Sequence, residues 1–269
     1  MRILNGSEIA GFIKERQSRG VRMLRQSHGI VPTLAILKPA GNPVIDTYVR
    51  LKGAYAEDIG VDCRVEELTD SEMAGRIDEL NQDDSVHGII VQLPLANPVL
   101  TDEIVAHIAS SKDVDGLGSR EQFTSATATA IDWLLAGYNV ELRNKKIVIV
   151  GNGRLVGAPL AELWRGNGLE PLVLDDTVTD LAYQLHDADI VVSAAGVPGL
   201  VTSAMLKKGT VIVDAGTTSE NGVLLGDVAA DARERDDLTI TPVRGGVGPL
   251  TVTVLFENVI KAASAGLNS

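Results

Sequence analysis

The stretch that most constrains this chain is residues 145–159, KKIVIVGNGRLVGAP. Its β-branched run, Ile147 to Val150, stops at Gly151-Asn152-Gly153. A short apolar run closed by glycine predicts a strand buried in a parallel sheet. Beyond the turn, Leu160, Ala161, Leu163 and Trp164 recur at helical spacing. Strand, glycine turn and helix are how a Rossmann unit aims backbone N–H groups and a helix N-terminus at a pyrophosphate. The spacing here is G-x-G-x-x-x-G, one residue longer than the usual fingerprint. A tight βα turn with no ligand satisfies it as well.

Parallel strands packed on helices need aliphatic filling, and 45% of the residues are hydrophobic while only 3% are aromatic. At 269 residues the chain has room for two cores. A net charge of −12 opposes a nucleic-acid partner gripped through its phosphates and is explained by solubility alone. Cys63, the single cysteine, excludes an internal disulfide and a cysteine-based zinc cage. His28, His87, His107 and His186 show no metal-ligand spacing, so no metal is expected. The N-terminal MRILNGSEIAG holds no apolar h-region, and no run is read as reaching the ~20 apolar residues of a membrane span. A soluble, cytoplasmic protein without membrane contact is expected.

Along the chain, Ile9, Phe12, Ile13, Val21 and Leu24 predict an amphipathic helix over 8–28. VPTLAILK (31–38) predicts a strand, and the segment after Pro43 a helix ending at Gly60. VDCRVEEL (61–68) predicts a second strand. Thr69 or Ser71 can cap the next helix, which carries Met73, Ile77 and Leu80. Residues 88–94 predict a third strand closed by Pro94. This β-α-β-α-β order implies a parallel α/β layer, left through a loop at 110–116. A helix near 131–135 leads to the strand at 147–150, and further strands are predicted at 169–176, 188–196 and 209–216. Residues 240–263 run from a strand through a glycine loop into a last helix.

Several residues carry possible chemistry. Tyr48 and Lys52 are four apart and share a helix face. The pair can stack a ring and move a proton if the lysine is partly desolvated, or it can be a surface lysine beside a half-buried tyrosine. Gln92 ends a predicted strand, where side chains face the ligand crevice of a parallel sheet. Asp113 and Asp115, in DVDG, fit helix caps or turn formers equally. PVRGGVGPLT (242–251) sets three glycines before a helix, which suits close backbone approach to a ligand or a tight crossover.

Taken together, YVxxK (Tyr48 to Lys52), VQLPL (91–95), KDVDG (112–116), the glycine turn at 151–157, Gly196-Val197-Pro198-Gly199, GDV (226–228) and PVxGGVGPxT (242–251) resemble the bifunctional methylenetetrahydrofolate dehydrogenase/cyclohydrolase family. The motifs occur in the family's order over nearly the whole chain. The resemblance implies an N-terminal α/β folate-binding domain (1–120, with 250–269 packing back on it) and a Rossmann-type dinucleotide-binding domain (121–249). It implies a homodimer through the Rossmann halves, oxidation of 5,10-methylenetetrahydrofolate with NAD or NADP, and hydrolysis of the methenyl product to 10-formyltetrahydrofolate. Lys52 would be the catalytic lysine, oriented by Gln92. Tyr48 would stack on the folate, Asp115 would hydrogen-bond the pterin, and Leu93 would line the folate. Backbone at Gly246, Val247, Gly248 and Pro249 would close over folate and nicotinamide. The dinucleotide would meet Gly151, Asn152, Gly153, Arg154, Leu155 and Val156, then Asp175 and Asp176, and at later strand ends Ala195, Gly196, Gly216 and Thr217. Retention of only one activity, or a silent binding module, are the competing readings.

The sequence also departs from the family pattern. Ile45 stands where a serine is usual, Ser125-Ala126-Thr127-Ala128 replaces a proline-cysteine-threonine-proline stretch, and Leu117-Gly118-Ser119-Arg120-Glu121 lacks the usual histidine-proline and asparagine-glycine pattern. Arg244 replaces a proline, and Asn152-Gly153 an arginine-serine pair. Asp175-Asp176 replaces a histidine with serine or arginine. Carboxylates at that strand end suit the ribose 2′-OH of NAD and repel the 2′-phosphate of NADP, so NAD is expected to be preferred.

Overall fold

A computed structural model describes residues 1–118, 122–220 and 223–267. In chain order the elements are β1 (Arg2–Ile3), α1 (Gly6–His28), β2 (Thr33–Lys38), α2 (Pro43–Ile59), β3 (Asp62–Glu67), α3 (Asp70–Gln82), β4 (Gly88–Val91) and α4 (Thr101–Ala106). There follow α5 (Ala126–Gly137), β5 (Ile147–Val150), α6 (Gly157–Gly166), β6 (Leu172–Leu174), α7 (Leu181–Leu185), β7 (Ile190–Ser193) and β8 (Val211–Asp214). The chain ends with β9 (Thr218–Glu220), β10 (Val223–Leu225), α8 (Ala230–Arg233), β11 (Thr239–Ile240) and α9 (Val247–Ser264).

Two compact units result. One comprises Gly11–Ala126 with Val252–Ser269, the other Met1–Ala10 with Thr127–Thr251. In the first, a parallel sheet runs in the order β3-β2-β4. The chain leaves central β2 for one side and returns as β4 on the other, so the β2/β4 boundary is a switch point whose carboxyl edge opens a crevice. Ala35, Leu37, Ile89 and Val91 from the strands pack on Met73, Ile77 and Leu80 of α3. Thr69 and Glu72 form a capping box at the start of α3, satisfying N–H groups the helix leaves unpaired.

The second unit holds a parallel sheet in the order β1-β11-β8-β7-β5-β6. Strand β5, the apolar run of the glycine motif, is buried along its length. It pairs with β6 on one side and β7 on the other, giving a second switch point. Trp164 of α6 is fully buried and its indole N–H donates to Asp132 at 3.0 Å, so the large ring enters the core without an unpaired donor.

The division differs from the expected 1–120 and 121–249 chiefly in its first ten residues, and by a few residues at the other two boundaries. Arg2 and Ile3 pair with Thr239 and Ile240, adding an edge strand to the six-stranded sheet. Two residues are too few for a periodic signal. The last helix also corrects the expectation that no run is long and apolar enough to span a membrane. Val247–Leu267 meets that measure with a mean hydropathy of 1.3. Its Leu250, Val254, Leu255, Phe256 and Val259 are nonetheless buried, as in the core helix of a globular unit.

Candidate functional site

Helix α2 carries the first cluster. Its start is fixed by Asn42, whose side chain accepts from the N–H groups of Val44 and Ile45, with Pro43 at the first turn. Gly60 ends it in the left-handed region at φ 82°, which glycine adopts without a Cβ clash. Ile45, Val49, Ala56 and Ile59 are buried along one face, leaving Tyr48, Lys52 and Tyr55 at i, i+4 and i+7 on another. The isoleucine that stands where a serine is usual is thus a core residue, 1% exposed.

The Lys52 ammonium nitrogen donates to Gln92 Oε1 at 2.7 Å. Gln92 follows β4 directly, and its N–H donates to the Leu37 carbonyl at 2.8 Å, so the strand register itself delivers the side chain to the carboxyl edge. The Leu93–Pro94 peptide beside it is cis. Burial lowers the pKa of Lys52, opposed by the negative charge of Asp115 and by Cys63. Burial likewise raises Asp115, with Lys52 pulling it back. Tyr48 is raised by burial, and the Cys63 thiol is pushed up to about 11, again chiefly by burial. A desolvated lysine with a carboxylate and an amide is an arrangement that eases loss of the lysine's proton and suits proton exchange.

The two aspartates of DVDG divide their work. Asp113 is 2% exposed and accepts from the N–H groups of Leu117 (3.3 Å) and Gly118 (2.9 Å); it forms the turn. Asp115 supplies the charge felt by Lys52. Of the departures after this motif, Ser119, Arg120 and Glu121 lie outside the described residues. Tyr55, which the sequence reading passed over, anchors the helix. Its hydroxyl donates to Gln17 Oε1 at 2.8 Å and shares a hydrogen bond with the Thr253 hydroxyl at 3.2 Å, and its ring stacks on Phe256 with centroids 5.3 Å apart. The i+3 spacing from Lys52 was the available signal.

A surface cavity of about 730 Å³ in this unit lies away from that chemistry. Its lining includes Thr33, Gly60, Arg64 and His87, at the amino ends of the strands. Arg64 there is already paired with Asp62 and Asp83.

The second cluster, in the other unit, is the glycine turn. Gly151 has φ 99°, and a Cβ there would stand 2.5 Å from the Ala194 carbonyl oxygen. A Cβ on Gly157 would lie 1.8 Å from the Gly151 oxygen. Packing alone therefore demands these two. Around Gly153 nothing lies within 4 Å of a Cβ position, so the protein has no packing need for that glycine. An exposed, unobstructed backbone between a strand end and the first turn of α6 fits the close approach of a pyrophosphate. Asn152, Gly153 and Leu155 are exposed, and Arg154 and Val156 partly so.

Asp175 and Asp176 follow β6 and are exposed. The Asp175 carboxylate accepts from the Thr177 hydroxyl (2.6 Å) and N–H (3.0 Å), bonds that hold its pKa below the usual carboxylate value. Ala195 and Gly196 lie after β7, and Gly216 and Thr217 after β8. The Ala195 N–H is taken by Asp227 Oδ2 at 2.8 Å, and a Cβ on Gly216 would strike the Asp227 carboxylate at 2.0 Å. In the final glycine loop, a Cβ on Gly245 would meet the Ser7 hydroxyl at 2.8 Å, and one on Gly6 the Gly246 oxygen at 1.9 Å. These glycines serve the entry to α1. Gly248 is open, Val247 is buried, Pro249 is half-buried, and Arg244 is exposed.

Fold and clusters define a two-unit α/β protein: a parallel layer with a desolvated lysine, and a nucleotide-binding sheet of the doubly wound kind. The sequence profile described as tetrahydrofolate dehydrogenase/cyclohydrolase, catalytic domain, matches residues 4–115. The corresponding NAD(P)-binding domain profile matches residues 125–266. Bifunctional protein FolD of Campylobacter jejuni is 37% identical over 100% of both chains. A crystal structure of FolD from Campylobacter jejuni superposes with a TM-score of 0.92 at 35% identity, covering 99% of each chain. The Trypanosoma brucei enzyme, solved with NADP cofactor and inhibitor, gives 0.90 at 31% identity, covering 99% of this chain and 98% of that one. The chain belongs to the tetrahydrofolate dehydrogenase/cyclohydrolase family.

Proposed function

We propose that this protein oxidises 5,10-methylenetetrahydrofolate to the methenyl form and hydrolyses that to 10-formyltetrahydrofolate. The observation that carries the reading is the Lys52–Gln92 hydrogen bond beside Asp115, on an α/β layer matched to the family's catalytic domain. Burial favours the neutral amine of Lys52. With one N–H donated to Gln92, its lone pair is free to take a proton from the water that attacks the methenyl carbon. Asp115 hydrogen-bonds the pterin, and Tyr48 stacks on the folate's aromatic part. Proton transfer of this kind contributes ~10²–10⁴-fold in rate.

The nicotinamide, when bound, supplies the hydride acceptor. Asn152, Gly153 and Arg154 would hold the dinucleotide's pyrophosphate, and Asp175 with Asp176 its adenosine ribose. NAD is the preferred form. The support is the ionised Asp175 beside Asp176 at the end of β6, which repels a 2′-phosphate, although the Trypanosoma brucei relative was solved with NADP. The reading includes a homodimer through the nucleotide-binding units and a cytoplasmic location.

The test is a spectrophotometric assay of the purified protein with methylenetetrahydrofolate and each cofactor. Methenyl product formed faster with NAD⁺ and then hydrolysed supports the reading. Methenyl product that persists shows one activity only, and cofactor binding without turnover shows a silent binding module. Tighter NADP⁺ than NAD⁺ binding by calorimetry sinks the cofactor preference.

A further inference from the structure

Asp227, in the GDV stretch, is 1% exposed and its carboxylate is fully engaged. Oδ2 accepts from the Ser193 hydroxyl and the Ala195 N–H, and Oδ1 from the Val197 N–H, each at 2.8 Å. Those donors are the last residue of β7 and the loop that follows it. The loop in turn presses on the phosphate turn, since the Ala194 oxygen stands where a Gly151 side chain would be.

One strand over, Asp214 repeats the device. Its Oδ1 accepts from the Gly216 N–H (3.2 Å) and the Asp227 N–H (3.0 Å), and its Oδ2 from the Val228 N–H (3.1 Å) and the Arg233 guanidinium. The Asp214 N–H donates to the Thr241 hydroxyl at 2.9 Å, and Arg233 donates to the Thr241 carbonyl at 3.0 Å. Two glycines make room for the pair. Cβ atoms on Gly216 and Gly226 would lie 2.0 Å from the Asp227 carboxylate and 2.1 Å from that of Asp214. The carboxyl ends of β7 and β8 and the chain just past β11 are thereby tied together behind the crevice where a doubly wound sheet takes its ligand.

We infer that Asp227 is a positioning residue for the dinucleotide, setting the β7 loop and through it the phosphate turn. It acts through the backbone groups it holds. Three charge-assisted hydrogen bonds into one buried carboxylate are strong and directional. An asparagine keeps the volume but must set its NH₂ against an N–H or hydroxyl donor, so the loop moves. The inference rests on the proposed function, in which hydrolysis of the methenyl substrate needs no dinucleotide.

The experiment compares the full-length protein with its Asp227→Asn and Ser193→Ala variants. Calorimetry with NAD⁺ gives Kd, steady-state oxidation gives the cofactor KM, and added methenyltetrahydrofolate gives hydrolysis. Asp227→Asn is expected to weaken NAD⁺ binding on the order of tenfold or more, raising KM in step while hydrolysis stays near the wild-type rate. Ser193→Ala, which removes one of the three bonds, is expected to weaken binding a few-fold and decides the matter alone if the first variant does not fold. Unchanged Kd overturns the inference, as does an equal loss of hydrolysis and binding, which would mark general loosening. Wild-type protein that binds neither dinucleotide would instead overturn the proposed function.

Discussion

The two units use the same residue type in opposite ways. Asp115, beside Lys52, is raised by burial and steadied mainly by the lysine's charge. Asp227 is just as hidden but accepts three hydrogen bonds at 2.8 Å. A buried carboxylate saturated by N–H and O–H donors is frame; one left to a neighbouring charge retains a proton equilibrium to use. The glycines divide similarly. Gly151 and Gly157 are demanded by carbonyl oxygens already in place, whereas Gly153 faces open space. In both units, an apparently functional residue is recognised by what the protein itself leaves unused.

The contrast can be broken first at Lys52. Lys52→Ala should cut hydrolysis by ~10²–10⁴-fold while NAD⁺ affinity measured by calorimetry holds. Full hydrolysis in that variant removes the assigned role. The glycine contrast comes next. Gly157→Ala should lower unfolding stability by about 1–3 kcal/mol, because its Cβ meets an oxygen at 1.8 Å. Gly153→Ala should barely move denaturant stability and weaken dinucleotide binding instead. Equal stability losses would show that Gly153 is frame too. The smallest effect expected is a shift in pH profile. The Asp115 charge raises the pKa of Lys52, so Asp115→Asn lets it fall further. The limb of hydrolysis that rises with pH should then move to lower pH, read from kcat at saturating substrate; movement to higher pH contradicts the pairing.

Much of this was legible before any coordinates. The apolar runs read at 31–38, 88–94 and 147–150 contain β2, β4 and β5. Helical spacing put Tyr48 and Lys52 on one face and the strand-end rule set Gln92 at the sheet's carboxyl edge, while the family resemblance singled them out. What stayed hidden depended on partners far off in sequence. Nothing local in DVDG says that Asp113 turns inward to Leu117 and Gly118 while the charge of Asp115 is felt by a lysine on α2. Nor does the sequence show that the side chain Gly216 lacks would stand where Asp227 is. The β9–β10 hairpin and the β1 edge are too short to carry a periodic pattern.

That first strand has a consequence for biosynthesis. Arg2 and Ile3 pair with Thr239 and Ile240, partners that are made long after them. The β1 edge of the six-stranded sheet therefore forms only after β11 has been made, and such distant pairing slows folding. The layer bearing Lys52 gathers its three strands from residues 33–91, yet its unit also takes in Val252–Ser269. Tyr55 is anchored on that segment through Thr253 and Phe256, so a product lacking the last helix would lose support for the lysine's own helix as well.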